Sequence, residues 1–307
     1  MGTDASVTVH GGSIDPAALF VRLQGLERRW SRFRPDSEIS RLNRNRGEIT
    51  IVSPDTFALV EHLVAAWRLT GGRFDPTMLD DIVDLGYDRT YRDLEPHDRS
   101  PIDSACPRAG QTRTVGEVDL LAPIRGVVLG AAGLDPGGLG KGFAADLVAD
   151  RAMDAGASGV LVDVGGDIRV RGTAPDGEPW RIAVAAPPPP DGPIDEPFPG
   201  EPFVVELGDG AMATSSVLTR TWTVNGEHRH HLLDPATGMP VDGVTSATVL
   251  AGTGWWAEAM TKAVMVSLAR NDGWFDEARA EALGVSAVVT TAGGTTRVGA
   301  IGAPSHA

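Results

Sequence analysis

A glycine-rich segment ending at the start of a predicted helix is the first candidate for chemistry. It runs Leu134-Asp-Pro-Gly-Gly-Leu-Gly-Lys-Gly-Phe-Ala-Ala-Asp146. Glycines let backbone N–H groups approach a phosphate closely, and Lys141 adds a positive charge. The segment matches neither the P-loop nor the G-x-G-x-x-G pattern, so it does not indicate a generic nucleotide site. A structural tight turn carrying an exposed lysine is the alternative interpretation.

Three of the seven histidines, His228, His230 and His231, lie together at one predicted strand end. Histidine is the usual side chain for proton transfer near neutral pH. Because side chains alternate along a strand, we expect His228 and His230 on one face and His231 on the other. A solvated strand histidine remains the alternative for each. Residues 234–238, which come soon after these histidines in the chain, have the composition of a turn.

Three further segments carry polar side chains with competing interpretations. Residues 31–43 could line a binding cleft, or residues 36–38 could cap a short helix, which is the better interpretation in isolation. Residues 72–77 could contribute to a site or form a plain Asx-Pro turn. Glu258 and Lys262 are one helical turn apart and face the same side, so the default interpretation is a surface ion pair.

The elements that must position these residues do not alternate in a regular βαβ order. Helices are predicted after residues 15–16 and 53–54, from about 141 to 155 and over 255–269. Strands are predicted at 7–9, 126–129, 160–170 (a pair folded around Gly165-Gly166), 204–207, 222–224, 228–232, 244–250, 285–288 and 295–298. This pattern predicts an α+β fold with largely antiparallel sheets and packed helices.

Composition limits the class of protein. The 307 residues carry a formal charge of −14, which argues against nucleic acid as a main partner. One cysteine, Cys106, excludes a disulfide framework and a multi-cysteine metal site. No apolar run is long enough for a transmembrane segment, and no signal peptide is visible. We therefore expect a cytoplasmic location, or an extracytoplasmic one if a leader was removed.

Six segments follow one another in an order that resembles the ApbE family, the FAD:protein FMN transferases. The resemblance extends from residue 1 to about 269 and is specific because all six match in order. The segments are Met1-Gly-Thr, Arg34-Pro-Asp-Ser-Glu-Ile-Ser-Arg-Leu-Asn43, Gly72-Arg-Phe-Asp-Pro-Thr77, Leu134-Asp-Pro-Gly-Gly-Leu-Gly-Lys-Gly142, Val162-Asp-Val-Gly-Gly-Asp167 and His231-Leu-Leu-Asp-Pro-Ala-Thr-Gly238.

The resemblance implies a fold and an activity. Members of this family cleave the FAD pyrophosphate with Mg²⁺, attach FMN to a Thr or Ser hydroxyl of a target flavoprotein and release AMP. Some members instead hydrolyse FAD to FMN and AMP, and a flavin-binding protein without catalysis is a further alternative. We expect a single domain over 1–307 with a T-fold-related architecture, a long surface insertion at about 91–125 and a Pro-rich loop at about 187–200.

The resemblance also assigns roles to individual positions. His231 matches the catalytic histidine, which relays a proton or takes the FMN phosphoryl group transiently. The Gly138 carbonyl aligns with a backbone oxygen that binds Mg²⁺, and Leu233 with a position beside the flavin. The other positions that match FAD contacts are Met1, Phe33, Arg73, Phe74, Asp75, Asp135 and Lys141.

The last predicted helix departs from the family pattern. Family members have Asp-x-x-x-Thr as metal ligands, whereas the matching residues here are Glu258, Thr261 and Lys262. Glu258 keeps a carboxylate, and Thr261 keeps a hydroxyl one position earlier. Lys262, however, places an ammonium group where a neutral oxygen ligand is expected, and an ammonium cannot coordinate Mg²⁺. Either the metal binds differently, or Lys262 supplies the positive charge, or activity has been lost.

Overall fold

The computed structural model describes residues 2–94, 115–184, 203–224 and 226–300. These residues form two compact units. The first unit contains the described residues of Met1–Gly2, Gln24–Gly140 and Thr219–Val241. The second contains those of Thr3–Leu23, Lys141–Leu218 and Asp242–Ala307. The Pro-rich loop predicted at 187–200 lies outside the described residues, and the single domain predicted over 1–307 stays a prediction.

Seven α-helices occur in the described part of the chain. They are α1 (Pro16–Trp30), α2 (Glu38–Arg44), α3 (Pro54–Leu69), α4 (Leu79–Asp84), α5 (Gly140–Asp154), α6 (Gly254–Arg270) and α7 (Glu277–Leu283). Ser53 caps α3 by accepting a hydrogen bond from the Thr56 N–H, and Pro54 stands in its first turn. Ser37 caps α2 in the same way, which confirms the helix-cap interpretation of residues 36–38.

The strands account for most of the second unit and part of the first. They are β1 (Ala5–His10), β2 (Thr50–Ile51), β3 (Asp119–Leu121), β4 (Gly126–Val128), β5 (Gly159–Val164), β6 (Asp167–Gly172), β7 (Trp180–Val184), β8 (Phe203–Leu207), β9 (Gly210–Ser216), β10 (Thr221–Val224), β11 (Glu227–His230), β12 (Leu233–Asp234), β13 (Met239–Pro240), β14 (Val244–Ala251), β15 (Val285–Thr291) and β16 (Gly294–Val298).

A seven-stranded sheet dominates the second unit, in the order β1-β5-β6-β9-β14-β15-β16. Every neighbouring pair is antiparallel, which confirms the predicted α+β class. The β5–β6 hairpin closes at Val164 and Asp167 through two glycines with φ of 65° and 89°. Only glycine adopts this left-handed conformation readily. Because the turn ends at Gly166, strand β6 begins at Asp167.

Helix α6 packs against β14, β9 and β6 through small side chains. Ala211, Ala213 and Ala257 form a buried cluster there. At its N-terminus α6 meets α5 so closely that a Cβ on Gly142 would lie 2.2 Å from the Gly254 carbonyl oxygen. Two helices and strand β6 are thereby brought within side-chain reach of one another.

The first unit is built from smaller pieces. Strands β2, β4 and β3 form a three-stranded sheet, and β10–β11 and β12–β13 are separate hairpins. Strand β3 lies inside the insertion predicted at 91–125, of which residues 95–114 are outside the described residues. An aromatic cluster centred on Tyr87 and Trp222 forms the core beside α4.

The sequence pattern missed several elements. The elements that were not predicted are helices α4 and α7 and strands β2, β3, β7, β9, β12 and β13. Strand β9 lies inside the seven-stranded sheet, but small residues replace the apolar alternation expected of a strand. None of the helices in the described ranges is long and apolar enough to cross a membrane.

Candidate functional site

Four charged side chains of the second unit meet in one buried group, here named the lysine cluster: Lys141, Asp167, Glu258 and Lys262. Lys141 stands in the first turn of α5, and Asp167 is the first residue of β6. Glu258 and Lys262 are one turn apart on α6. The glycine hairpin before β6 and the Gly142–Gly254 approach bring these elements together.

Both ammonium groups of the lysine cluster converge on one carboxylate oxygen. Lys141 Nζ lies 3.1 Å from Glu258 Oε1, and Lys262 Nζ lies 3.5 Å from the same atom. Lys141 also forms an ion pair with Asp167. The second oxygen of Glu258 accepts a hydrogen bond of 2.8 Å from the Gly142 N–H. Glu258 therefore has partners on both oxygens.

Burial and neighbouring charge pull the pKa values of this cluster in opposite directions. Glu258 is fully buried, which by itself raises its pKa, but Lys141, Lys262 and the Gly142 N–H lower the pKa to about 2. Burial raises the pKa of Asp167 to about 6 in spite of Lys141. Burial lowers the pKa of Lys262 although Glu258 opposes this shift. Desolvation therefore sets the direction of the pKa shifts of Asp167 and Lys262, whereas the neighbouring charges set the direction of the pKa shift of Glu258.

The donors of this cluster do not fit the predicted Mg²⁺ site. Glu258 Oε1 already faces two ammonium groups, which repel a divalent cation. The buried Thr261 hydroxyl donates 2.7 Å to the Glu258 carbonyl oxygen and lies 2.7 Å from Ser215 Oγ. Among the described residues, no three His, Cys, Asp or Glu side chains are placed to hold a metal ion. The default prediction of a surface ion pair at Glu258 is also wrong, because that carboxylate is buried.

Gly138, the third predicted metal ligand, belongs to the first unit. It lies in a short 3₁₀ turn, Pro136–Gly138, where a Cβ would come 2.6 Å from the Phe74 ring. Its glycine identity is thus explained by the close approach of an aromatic ring. A role for its carbonyl oxygen in metal binding stays a prediction.

A second buried charge group of the second unit, here named the arginine cap, contains Asp146 of α5 and Arg169 of β6. The carboxylate of Asp146 accepts hydrogen bonds of 2.7 and 2.9 Å from the N–H groups of Gly254 and Trp255 at the start of α6. Arg169 Nε lies 3.1 Å from Asp146 Oδ1. Arg169 also donates to the carbonyl oxygens of Val170 and Gly210. Asp146 therefore caps the helix that carries Glu258 and Lys262.

In the first unit, two of the residues predicted to contact FAD meet around Arg32. The Arg32 guanidinium lies 4.2 Å from the centre of the Phe33 ring and 4.7 Å from that of Tyr87. Its Nε atom is 3.2 Å from Asp135 Oδ2. Leu233 packs against the cluster of Tyr87 and Trp222. The sequence pattern missed Tyr87 and Trp222 as site residues, and it included Arg32 only as a member of the polar segment at 31–43.

A pocket of about 440 Å³ opens beside this aromatic group. Phe33, Ser40 and Asn43 of the polar segment at 31–43 line it, together with Arg32 and Arg44. The segment therefore caps a helix, as one interpretation predicted, and lines a pocket, while ligand binding in that pocket stays a prediction.

The segment at 72–77 forms the predicted turn. Asp75 Oδ1 accepts hydrogen bonds from the N–H and hydroxyl of Thr77 at 2.8 and 2.5 Å. Phe74 is buried, and its N–H donates to the Thr70 hydroxyl at 3.1 Å. The FAD contacts of Arg73, Phe74 and Asp75 stay predictions, and Met1 lies outside the described residues.

The three clustered histidines have different surroundings. His230 Nε2 lies 3.0 Å from the Val241 carbonyl oxygen, and its Nδ1 accepts a hydrogen bond from the Leu232 N–H at 3.3 Å. His228 is exposed on β11. His231 follows the end of that strand and is half-buried. The backbone contacts of His230 distinguish it from the exposed His228, and the proton-transfer role of His231 stays a prediction.

Sequence and structure comparisons agree on one family. The model of the ApbE family matches residues 1–288. An FAD:protein FMN transferase of Vibrio cholerae serotype O1 is 30% identical over 252 residues, which cover 80% of this chain and 70% of that protein. The same-named protein of Haemophilus influenzae is 26% identical over 248 residues, covering 80% and 70%.

Solved structures show the same relationship. The ApbE protein of Thermotoga maritima superposes with a TM-score of 0.79 at 26% identity, covering 97% of this chain and 94% of that one. The flavin transferase ApbE of Vibrio cholerae superposes with a TM-score of 0.74 at 26% identity, covering 97% and 93%. On the match of its motifs, its fold and nearly its whole length, this chain belongs to the ApbE family.

Proposed function

We propose that this chain transfers FMN from FAD to a Thr or Ser hydroxyl of a target flavoprotein and releases AMP. The observation that carries the proposal is the lysine cluster. It places Lys141 at the start of a helix, at the glycine-rich segment that suits a phosphate. Relatives named FAD:protein FMN transferase support the substrate.

The proposed reaction is a phosphoryl transfer. The acceptor oxygen forms a bond to the FMN phosphorus, and the bond from that phosphorus to the bridging oxygen breaks. The bridging oxygen leaves with AMP and its electron pair, while the hydroxyl proton passes to a base. We assign that base to His231, because imidazole is the usual side chain for proton transfer near neutral pH.

The chain's other residues bind and orient the substrate in this proposal. Lys141 offsets the charge of the pyrophosphate, because a positive group beside the transferred phosphoryl stabilises its transition state. The resemblance to the family predicts a requirement for Mg²⁺, and this stays a prediction. The donors of the lysine cluster do not fit a Mg²⁺ ion. The proposed FAD contacts are Met1, Phe33, Arg73, Phe74, Asp75, Asp135, Lys141 and Leu233.

The test combines product analysis with mass spectrometry. Pure protein is incubated with FAD, first alone and then with a flavoprotein subunit that carries a Thr acceptor. We expect AMP and a covalent FMN mass on the subunit, both lost when its acceptor Thr is replaced by Val. AMP without protein-bound FMN would instead indicate an FAD pyrophosphatase, and bound FAD without AMP a flavin-binding protein.

The His231→Ala variant tests the proposed base. A proton-transfer group contributes about 10²–10⁴-fold to rate and little to ground-state affinity. We therefore expect AMP release to fall by that factor while FAD binding stays within about tenfold. The His228→Ala variant is the matched control and should retain the wild-type rate. Equal losses in both variants would remove the assignment to His231.

A further inference from the structure

The chain contains only two lysines, and both belong to the lysine cluster. Of its 27 basic residues other than histidine, 25 are arginines, and only Lys141 and Lys262 are lysines. The two ammonium groups reach the same oxygen of Glu258, at 3.1 and 3.5 Å. A chain that uses arginine everywhere else thus has lysine only at this oxygen.

The two kinds of cation suit different tasks. A guanidinium holds its donors in a rigid planar fork, and in the arginine cap one nitrogen of that fork donates to two backbone carbonyl oxygens. An ammonium is a compact point charge on a flexible stem, which more closely resembles a metal cation. The lysine cluster therefore concentrates two point charges at one place.

Lys262 has donors to spare. An ammonium carries three N–H donors. Among the described residues, Lys262 Nζ has one acceptor within hydrogen-bonding distance, Glu258 Oε1 at the outer limit of 3.5 Å. Its side chain is nevertheless only 17% exposed. A mostly buried ammonium with free donors indicates a site for an acceptor-rich ligand.

The lysine side chains of the cluster are closer to solvent than its carboxylates. The side chains of Lys141 and Lys262 are 15% and 17% exposed, whereas those of Asp167 and Glu258 are 2% and 0% exposed. The four formal charges cancel, but a ligand arriving from solvent reaches the lysine side chains before the carboxylates. The ligand favoured by this arrangement is an anion with several oxygens, as in a pyrophosphate.

We propose that Lys262, together with Lys141, binds the FAD pyrophosphate directly and supplies the charge neutralisation that a divalent cation gives in phosphoryl transfer. This inference rests on the proposed function. Its consequence is that the chain binds and cleaves FAD without a divalent metal ion. The balance of the reaction is unchanged, because the two ammonium groups offset charge on the departing AMP and form no covalent bond.

The first test compares FAD binding and AMP release in EDTA and in Mg²⁺. Wild-type protein is expected to show the same FAD affinity and the same AMP rate in both. Lys262→Met should weaken FAD binding in EDTA by about tenfold or more, which corresponds to one lost charge-assisted hydrogen bond. Lys262→Arg, which keeps the charge, should recover part of that loss.

A matched control removes one positive charge elsewhere in the same unit. Arg181, whose side chain is 70% exposed, pairs only loosely with Glu206 at 3.7 Å. Arg181→Met should leave FAD affinity in EDTA unchanged. An equal loss in Arg181→Met and Lys262→Met would show that net charge, and not the lysine cluster, controls binding, and would overturn the inference.

The second test does not depend on activity. Protein labelled with ¹³C at the ε-carbon of lysine should give two lysine NMR signals, because the chain has two lysines. FAD added in EDTA is expected to shift both signals. The Lys262→Met variant assigns the signals and, by retaining a dispersed Lys141 signal, shows that it is folded. A Lys262 signal that FAD leaves unchanged would overturn the inference.

The outcomes separate the inference from the function on which it rests. FAD that binds and is cleaved only when Mg²⁺ is present would overturn the inference and leave the proposed transferase standing. FAD that binds in neither buffer would overturn both. AMP release in EDTA that Lys262→Met slows and Arg181→Met does not would support the inference.

Discussion

The lysine cluster and the arginine cap are built from the same three elements but differ in what they leave unfilled. Helix α5 supplies Lys141 to one and Asp146 to the other, while β6 supplies Asp167 and Arg169, which share one face of the strand. Helix α6 supplies side chains to the first and its N-terminal N–H groups to the second. Helix α5 therefore gives a positive side chain to the lysine cluster and a negative one to the arginine cap, and β6 does the reverse.

In the arginine cap, the buried Nε atom of Arg169 lacks a hydrogen-bond partner among the described residues, although it lies 3.1 Å from Asp146 Oδ1. Asp146 satisfies two N–H groups of α6 and pairs with Arg169, which also reaches two carbonyl oxygens. In the lysine cluster, one buried oxygen of Asp167 likewise has no hydrogen-bond partner among the described residues. An unpaired polar atom therefore does not by itself distinguish the two groups. The difference lies in their cations, because Arg169 donates to two backbone carbonyl oxygens, whereas Lys262 Nζ has one acceptor within reach among the described residues, Glu258 Oε1 at 3.5 Å.

The largest expected effect is on the arginine cap. Arg169→Met leaves the Asp146 carboxylate buried without its cation, and breaking a buried pair typically costs about 3–5 kcal/mol. We expect the free energy of unfolding, measured by urea denaturation, to fall by that amount. A loss below about 1 kcal/mol would contradict the structural role of the cap.

The pH dependence of stability should differ in sign between Asp146 of the arginine cap and Glu258 of the lysine cluster. Burial raises the pKa of Asp146 from 3.8 to about 6, so the folded state binds this proton more tightly than the unfolded state does. Stability from this group therefore falls as pH rises from about 4 to about 6, by about 3 kcal/mol at most. Glu258, with its pKa lowered to about 2, contributes stability above about 4.5 that is lost as pH falls through 2.

The Asp146→Asn variant isolates the first of these effects. Asp167, whose pKa is also raised to about 6, contributes the same sign in both proteins and cancels in the difference. We expect the decline in stability between pH 4 and 6 to be smaller in the variant than in the wild type. Parallel pH profiles from urea unfolding at each pH would refute the assignment to Asp146.

The lysine cluster and the arginine cap both depend on the close approach of α5 to α6, and a substitution at Gly142 can disrupt that approach. Gly142→Ala would place a Cβ 2.2 Å from the Gly254 carbonyl oxygen and force α5 and α6 apart. Overpacking of this kind costs about 1–3 kcal/mol. We expect both lower thermal stability and weaker FAD binding, whereas Gly208→Ala, at a position with open space and no positive φ, should leave FAD binding unchanged.

The smallest effect on stability is expected at Lys262. Among the residues that the structure describes, its one ion-pair contact is long, and Glu258 keeps Lys141 and the Gly142 N–H when Lys262 is replaced. Lys262→Met should therefore change the free energy of unfolding by about 1 kcal/mol or less. A loss as large as that of Arg169→Met would make the lysine cluster a structural element like the arginine cap.

Elements with strong local signals were predictable. Helices α1, α3, α5 and α6 and the hairpins β5–β6, β10–β11 and β15–β16 lie where the apolar spacing, caps and glycine turns place them. Strand β9 escaped prediction because its small side chains suit the surface beneath α6 and carry no alternation of their own. Packing against α6, and not an apolar pattern of its own, therefore makes this segment a strand.

The sequence by itself determined the family, through six motifs in order, and the helix starts and glycine hairpins that carry the site residues. It also contained the scarcity of lysine, which marks Lys141 and Lys262 as a pair. Only the tertiary structure decided that these lysines share one carboxylate and that Glu258 is buried. Caps and turns act over a few residues, whereas Lys141 meets Asp167 across 26 residues and Gly142 meets Glu258 across 116. Such contacts depend on strand register and helix packing, and these are properties of the folded chain.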